Sequence, residues 1–322
     1  MEMLEKSAAP EISVVIPAYN EEESLEVLNE SIFNSIVPLG KSFEVIYVDD
    51  GSSDRTFEKI KEVCSKFPNV KGIKFRRNFG QTAAMSAGFD HADGRVIIAM
   101  DADLQNDPSD IKMLIDELDK GYDIVNGWRK DRKDTLFSRR MPSVIANWLI
   151  GRATGVKLHD YGCSLKAYRA EVIKNVPLYG QLHRFIPALA YIYGAKITEV
   201  PVKHHARAFG KSKYNLSRIY PVVMDMITVS FLKSFGDRPL HMFGKLSLLC
   251  LGLGIGMDGY LTILKIVKHV NIANRPLLLL GTLLILAGLQ MFSTGILAEI
   301  QMRTYYESQR KPIYSIREII NG

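Results

Sequence analysis

Four short runs rich in β-branched and aromatic residues mark the first hundred residues: 12–17 (Ile-Ser-Val-Val-Ile-Pro), 43–48 (Phe-Glu-Val-Ile-Tyr-Val), 70–75 (Val-Lys-Gly-Ile-Lys-Phe) and 95–100 (Arg-Val-Ile-Ile-Ala-Met). Stretches with helical recurrence of apolar positions separate them. This βαβα alternation predicts a mostly parallel sheet covered by helices on both faces. Asn20 with Glu23, and Ser53 or Asp54 before Arg55, read as helix caps. A second part, residues 122–215, holds a basic run, a strand-like Lys196–Val202 and a polar, glycine-containing loop from His204 to Tyr214.

The pattern changes beyond residue 216. Ser217–Phe235 mixes Arg218, Asp225, Thr228 and Lys233 with Ile, Val, Met and Phe, the composition of an amphipathic helix lying in a membrane interface, with Pro221 in its first turn. From Pro239 to Val267 only His241, Lys245, Asp258 and Lys265 interrupt an apolar stretch, and Pro276–Ala298 carries no charge. Each is long enough to cross a hydrocarbon core of about 30 Å as a helix, and together they read as a transmembrane hairpin. The expected organisation is therefore an α/β domain at 1–215, an interfacial helix at 216–238, the hairpin at 239–300 and a polar tail at 301–322. Asp258 inside the first span must face protein or water. Gly252 and Gly256, and Gly281, Gly288 and Gly295 at seven-residue spacing, offer surfaces for packing within the hairpin or between copies in a homo-oligomer.

Charge refines this layout. The formal net charge of +6 is concentrated in Arg129, Lys130, Arg132, Lys133, Arg139 and Arg140, followed by Ile145, Trp148 and Leu149 at helical spacing. In a chain with membrane spans, that pairing points to anionic lipid headgroups rather than to nucleic acid. Met1–Glu11 is charged and lacks the apolar core of a signal peptide, so the soluble part is expected in the cytoplasm. Lys233, Arg238 and Lys245 precede the hairpin and Arg303, Arg310, Lys311 and Arg317 follow it, against Lys265, Lys268 and Arg275 at the turn, an excess that places both ends inside a cell membrane. Cys64, Cys163 and Cys250 are widely separated, in no metal-ligand spacing, and read as buried thiols of a reducing compartment.

The candidate chemistry sits at the strand ends. The fourth run leads into Asp101-Ala102-Asp103-Leu104-Gln105. In an extended segment, positions i, i+2 and i+4 share a face, so Asp101, Asp103 and Gln105 would converge just beyond the carboxyl end of a buried strand, where open α/β sheets bind ligands. Such oxygen donors suit a hard divalent cation holding a diphosphate. The first run leads into Pro17-Ala18-Tyr19-Asn20-Glu21 and the second into Asp49-Asp50-Gly51-Ser52-Ser53-Asp54.

Together these motifs resemble the family 2 inverting glycosyltransferases of the GT-A nucleotide-sugar fold. The likeness narrows with Asp101–Pro108, Gly127-Trp128-Arg129-Lys130, His159-Asp160-Tyr161-Gly162-Cys163 and Arg207–Tyr214. These segments resemble the polyprenyl-phosphate sugar transferases, the dolichol-phosphate mannose synthases and bacterial undecaprenyl-phosphate enzymes, over residues 12 to about 300. The resemblance implies that Pro17, Tyr19, Glu21 and Asp50 bind the nucleoside of a nucleotide-sugar donor, and that Asp101, Asp103 and Gln105 hold Mg²⁺ or Mn²⁺ and the diphosphate. Arg129, Arg139 and Ser143 would grip the phosphate of the lipid acceptor, while Arg207, Lys211, Ser212 and Lys213 would close over the donor. Some members carry arginine directly before the loop glycine where this chain has Phe209, which leaves open which cation faces the diphosphate. Asp160 would serve as catalytic base or as an orienting group. Glucose from UDP-glucose is the donor expected from the bacterial branch, with 4-formamido-arabinose, N-acetylglucosamine and mannose as alternatives.

The implied reaction has a particular demand. A lipid phosphate oxygen attacks the anomeric carbon as nucleoside diphosphate leaves, so the site must absorb negative charge on the leaving group. The nucleophile is a phosphate monoester with second pKa about 6, already largely dianionic at neutral pH, and needs no strong base. A processive polysaccharide synthase would carry Gln-x-x-Arg-Trp and a larger membrane bundle; this chain has Gln181-Leu182-His183-Arg184-Phe185 and two spans. An inactive membrane scaffold would not need its acidic and basic clusters intact.

Overall fold

The computed structural model describes residues 9–130, 150–152, 154–178, 182–206, 239–269, 271, 275–308 and 313–322, and the chain divides into two compact units, 1–230 with 312–322, and 231–311. The segment expected to form an interfacial helix, 216–238, lies outside the described residues, as does the basic run beyond Lys130.

The first unit is built on an eight-stranded sheet in the order β7-β5-β6-β4-β1-β2-β3-β8. The strands are β1 (Ile12–Ala18), β2 (Phe43–Asp49), β3 (Val70–Phe75), β4 (Val96–Ala99), β5 (Ile124–Trp128), β6 (Lys166–Arg169), β7 (Ile197–Pro201) and β8 (Ile316–Ile320). Helices α1 (Leu25–Ile36), α2 (Thr56–Lys66), α3 (Gln81–Asp90) and α4 (Ile111–Leu118) alternate with the first strands, followed by the short α5 (Ala170–Ile173) and α6 (Ile186–Ile192). The strands β4, β1, β2 and β3 pair in parallel, as the alternation predicts, and β5 pairs in parallel with β7. The sheet is nonetheless mixed, because β6 runs antiparallel between β4 and β5, and β8 antiparallel beside β3.

Amphipathic spacing builds the core. Leu25, Leu28, Ile32 and Ile36 of α1 lie on one stripe and are fully buried with Val14, Ile16 and Tyr47 of the central strands. On the other face α3 approaches so closely that a Cβ on Gly88 would lie 2.1 Å from Val15 Cγ1, which requires glycine there. Burial on both faces explains why β1 and β2 read as nearly continuous apolar runs.

The capping expectations divide. Asp54 Oδ1 accepts from the Thr56 amide at 3.0 Å at the start of α2. Asn20 caps nothing: α1 begins after Ser24, and the Asn20 carboxamide reaches across to the next loop instead.

The second unit holds two long helices, α7 (Pro239–Lys268) and α8 (Pro276–Ser308), the latter running past the boundary expected at residue 300. The segments Phe243–Lys268 and Pro276–Ala298 are long and apolar enough to cross a membrane. Most of their surface is uncovered, with Leu248, Val267, Ile266 and Leu279 among the exposed side chains, unlike helices of a soluble core. Of the glycines expected at the helix contact, Gly281 and Gly288 are there: a Cβ on Gly288 would meet Leu251 Cγ at 2.7 Å, and one on Gly281 would collide with Asp258. Gly252 and Gly256 face open space, and Gly254 takes their place, its absent Cβ leaving room for the Gly281 carbonyl. Ser247 Oγ donates to the Gly288 carbonyl at 2.8 Å and Thr282 Oγ1 to Asp258 at 3.3 Å, so the acid within the first apolar helix has a partner on the second, as a place in hydrocarbon would require.

Candidate active site

The loops after β1 and β2 are knitted together because their strands are neighbours. The Asp50 amide donates to the Ala18 carbonyl at 2.9 Å, the Asn20 amide to Ser52 Oγ at 2.9 Å, and the Glu21 amide to Thr56 Oγ1 at 2.9 Å. Asn20 adopts a positive φ of 53°, a conformation that asparagine tolerates, and its Oδ1 accepts from the Ser53 amide. Pro17 pairs with Val48 at the end of β1, and Tyr19 stands exposed just beyond it. Of the four residues expected to hold a nucleoside, Tyr19, Glu21 and Asp50 thus share one pair of linked loops and Pro17 lies at the end of the strand that leads into the first.

Asp50 is buried, and its two carboxylate oxygens accept from the amides of Phe79 at 2.7 Å and Gly80 at 2.9 Å. Burial raises its pKa, with these two amides opposing. The contact needs Gly51, where φ is +68° and a Cβ would lie 2.4 Å from the Arg77 carbonyl carbon. The same 76–82 segment continues to the acidic turn: Gln81 Nε2 donates to Asp101 Oδ1 at 2.8 Å, and Thr82 Oγ1 lies 2.8 Å from His183 Nδ1. Gln81 and Thr82 had no mark in the sequence, because single polar residues at helix starts are ordinary, and His183 stood out there only within the 181–185 stretch.

The acidic motif is not extended. β4 ends at Ala99, and residues 102–104 bend, with Leu104 at φ 59° and Asp103 Oδ1 accepting from the Gln105 amide at 3.2 Å. The shared face expected of Asp101, Asp103 and Gln105 on an extended chain is therefore replaced by a turn, in which a carboxylate satisfies the backbone that leaves the sheet. Asp103 is buried and Asp101 half-buried. The turn is pinned from outside: the Gln105 carbonyl accepts from the His205 amide at 2.9 Å, and Asn106 Nδ2 donates to Ser164 Oγ at 2.7 Å. Among the described residues no three His, Cys, Asp or Glu side chains gather into a metal-holding group. Two aspartates and a carboxamide in one turn fit a hard cation that keeps waters and shares diphosphate oxygens, not one caged wholly by protein.

The basic and acidic residues read separately from the sequence, Arg129 and Asp160, form one pair. Arg129 Nε and its terminal amine donate to the two Asp160 oxygens at 2.7 and 2.9 Å, and the Gly162 amide donates to Oδ1 at 3.1 Å. Both side chains are largely buried. Asn126 in β5 donates to the Asp160 carbonyl at 2.8 Å, fixing the backbone of the same loop. Behind it, fully buried Lys166 donates to the Tyr161 carbonyl at 3.1 Å, and burial pulls its pKa down to about 8. Next to the pair, Trp128 and His159 stack at 4.3 Å, with His159 also bound to Glu199. Cys64 and Cys163 are buried, and burial pushes both thiols up to about 11, as expected of inert cysteines. Arg139, Ser143, Arg207, Lys211, Ser212 and Lys213 lie outside the described residues.

The chain is similar to known proteins in sequence and in fold. The sequence profile described as Glycosyl transferase family 2 matches residues 13–176. The dodecaprenyl-phosphate galacturonate synthase of Rhizobium johnstonii is 46% identical over 320 residues, covering 97% of this chain and 93% of that protein. The undecaprenyl-phosphate 4-deoxy-4-formamido-L-arabinose transferase of Edwardsiella ictaluri is 37% identical over 313 residues, with 97% and 94% covered. In fold, the chain is similar to glucosyl-3-phosphoglycerate synthase from Mycobacterium tuberculosis, crystallised with Mn²⁺, UDP and glucosyl-3-phosphoglycerate, at a TM-score of 0.52 and 21% identity over 70% of this chain and 80% of that one.

Proposed function

The chain belongs to glycosyl transferase family 2, and from that premise we propose that it transfers a sugar from a nucleotide-linked donor to the phosphate of a membrane polyprenyl phosphate, with inversion at the anomeric carbon. The observation that carries this reading is the linkage of the strand-end loops: one segment, 76–82, binds Asp50 through its amides and Asp101 through Gln81, while Asn106 joins the acidic turn to the loop bearing Asp160. A nucleoside on the Asp50 side and a phosphate acceptor on the Arg129 side would meet across that turn.

In this reading Pro17, Tyr19, Glu21 and Asp50 take the nucleoside. Asp101, Asp103 and Gln105 would hold Mg²⁺ or Mn²⁺, which when bound neutralises charge developing on the leaving diphosphate. Arg129 presents a guanidinium to the acceptor phosphate, for which its planar fork is suited. Asp160 orients Arg129: a carboxylate already accepting from a guanidinium and the Gly162 amide is a poor proton acceptor, and a dianionic phosphate needs none. The acceptor's other expected contacts, Arg139 and Ser143, and the closing loop of Arg207, Lys211, Ser212 and Lys213 complete the proposal. The hairpin α7–α8 would anchor the enzyme in the cell membrane with the catalytic unit in the cytoplasm.

The donor sugar expected from sequence, glucose, gives way to galacturonate. The 46% identical relative is named for galacturonate and the 37% identical one for formamido-arabinose. A uronate carboxylate would also suit a site where Arg184 and His183 stand on the turn beside Thr82, next to the residue that holds Asp101. The test is transfer to undecaprenyl and dodecaprenyl phosphate from labelled UDP-galacturonate, UDP-glucose, UDP-N-acetylglucosamine, GDP-mannose and the UDP-linked formamido-arabinose. Product from the galacturonate donor alone is expected; faster transfer of another sugar overturns the assignment of the sugar, and no transfer to either lipid from any donor overturns the reaction.

A further inference from the structure

We infer that the strand following the membrane hairpin is a working part of the donor site, with Tyr314 as a positioning residue for the loop that holds Asp50; this rests on the donor reading of Asp50 given above. β8 lies at the sheet edge against β3, in antiparallel register from Gly72↔Ile320 to Phe75↔Ile316, with an irregularity between Lys74 and Phe75 where the chain leaves the sheet for the loop. At that point the C-terminal segment and the loop interlock. The Arg76 amide donates to the Ser315 carbonyl at 3.0 Å, and the Tyr314 ring stacks on Phe75 with centroids 5.3 Å apart and planes 11° from parallel. Phe75 in turn meets Phe79 edge-on at 5.6 Å, and the Arg77 guanidinium covers the Phe79 ring at 4.2 Å. The Phe79 amide is one of the two that grip the Asp50 carboxylate.

A direct path of contacts thus runs from Tyr314 through two phenylalanine rings to the amide that fixes Asp50. Tyr314 also reaches the far end of α3, its hydroxyl donating to Asp90 Oδ2 at 2.8 Å, while the near end of α3 supplies Gln81 to Asp101. Residues 76–80 have no helix or strand of their own to hold them. An irregular loop that must aim two amides at one carboxylate depends on what packs behind it, and here that support is Tyr314.

The rest of β8 is anchored independently. Asn321 Nδ2 donates to the carbonyls of Cys64 and Val70 at 3.0 Å each, and Glu318 pairs with Lys61 at 2.7 Å. Loss of the Tyr314 ring should therefore leave the strand in place and act on the loop alone.

The test uses the full-length enzyme in detergent, with calorimetric titration of UDP in the presence of Mn²⁺ beside steady-state transfer. Tyr314→Ala is expected to weaken UDP binding and raise the donor KM by about three- to tenfold, the scale of one aromatic stack, with kcat and the acceptor KM unchanged. Tyr314→Phe keeps the ring and should restore the donor KM. Asp50→Asn separates the two levels of the argument: UDP affinity equal to wild type in that variant would remove the donor reading itself. If Asp50→Asn weakens UDP while Tyr314→Ala does not, the inference fails and the donor reading stands. Should Tyr314→Ala fail to fold, Tyr314→Leu, which fills the space without the stack, carries the same expectation, and a normal donor KM there overturns the inference.

Discussion

Arg129 and Asp160 sit together in a largely buried, bidentate pair, so removing the arginine strands a carboxylate in protein. Arg129→Ala should cost about 3 kcal/mol of stability, and Arg129→Ala with Asp160→Asn should regain much of it without regaining activity, a pattern that thermal melts beside transfer assays would reveal. On the kinetic side, Arg129→Ala should raise the KM for polyprenyl phosphate while leaving UDP affinity nearly intact; a loss of UDP affinity instead would move Arg129 to the donor site. Asp103→Asn should reduce transfer by about a hundredfold or more with an unchanged melting temperature, and chelation should abolish transfer until Mg²⁺ or Mn²⁺ is returned. Activity surviving excess chelator would remove the metal from the proposal. Lys166 offers a test by pH. Its pKa in the folded protein is held down to about 8 by burial, below that of an unfolded lysine. Below pH 8 it is charged in both states and its burial is most costly; as pH rises from 8 to about 10 the unfolded chain binds the extra proton, so stability should rise. Wild type should therefore gain stability relative to Lys166→Met over that window, and parallel curves would mean that the ammonium is better solvated than its burial implies.

At the scale of elements, the helix hairpin is held by backbone approach, and substitutions there should sort by contact. A side chain at position 288 would run into Leu251 and the Ser247 carbonyl, whereas position 256 faces open space. Gly288→Leu should destabilise the detergent-solubilised protein by about 1 to 3 kcal/mol, the usual cost of overpacking, and Gly256→Leu should be near neutral; equal effects would show that the two helices pack differently. The sheet illustrates which elements announce themselves. β1, β2 and β4 are almost wholly buried and appear as apolar runs, β3 shows as Val-Lys-Gly-Ile-Lys-Phe with its two lysines half-buried, and β7 shows as Lys196–Val202. β6 is Lys-Ala-Tyr-Arg, and β8, Ile-Arg-Glu-Ile-Ile, lies among polar residues; both are strands because a neighbour's free edge accepts them, not because of their own pattern.

For the whole molecule, β8 adds a topological constraint. Residues on both sides of the hairpin belong to one sheet, so if the two helices span a membrane the number of crossings between residue 239 and residue 313 is even. This agrees with the cation excess at both ends and makes the labelling experiment sharper. Single cysteines at Lys112 and Glu318 should react from the same side and one at Asn271 from the opposite side, as tested with a membrane-impermeant thiol reagent on intact cells and inverted vesicles. Glu318 labelling with Asn271 would mean that only one of the two helices crosses.

The βαβα alternation of the first four strands, the two long apolar helices and the family were legible in the sequence, because each depends on local periodicity or on residue types at fixed spacing. Contacts between segments distant in the chain were not. Nothing local tells that Arg129 answers Asp160, that Gln81 bonds Asp101, or that the segment after the two long helices returns to stack on Phe75 beside the loop around Asp50. The acidic motif was read with the wrong backbone: alternation along an extended strand predicted a shared face, and the chain instead turns at Leu104, because β4 ends at Ala99 and the Asp103 carboxylate satisfies the turn. Sequence determines which groups are available and roughly where along the fold they lie. Which of them touch is decided by strand order, since neighbouring strands deliver their loops to the same place whatever their separation in the chain.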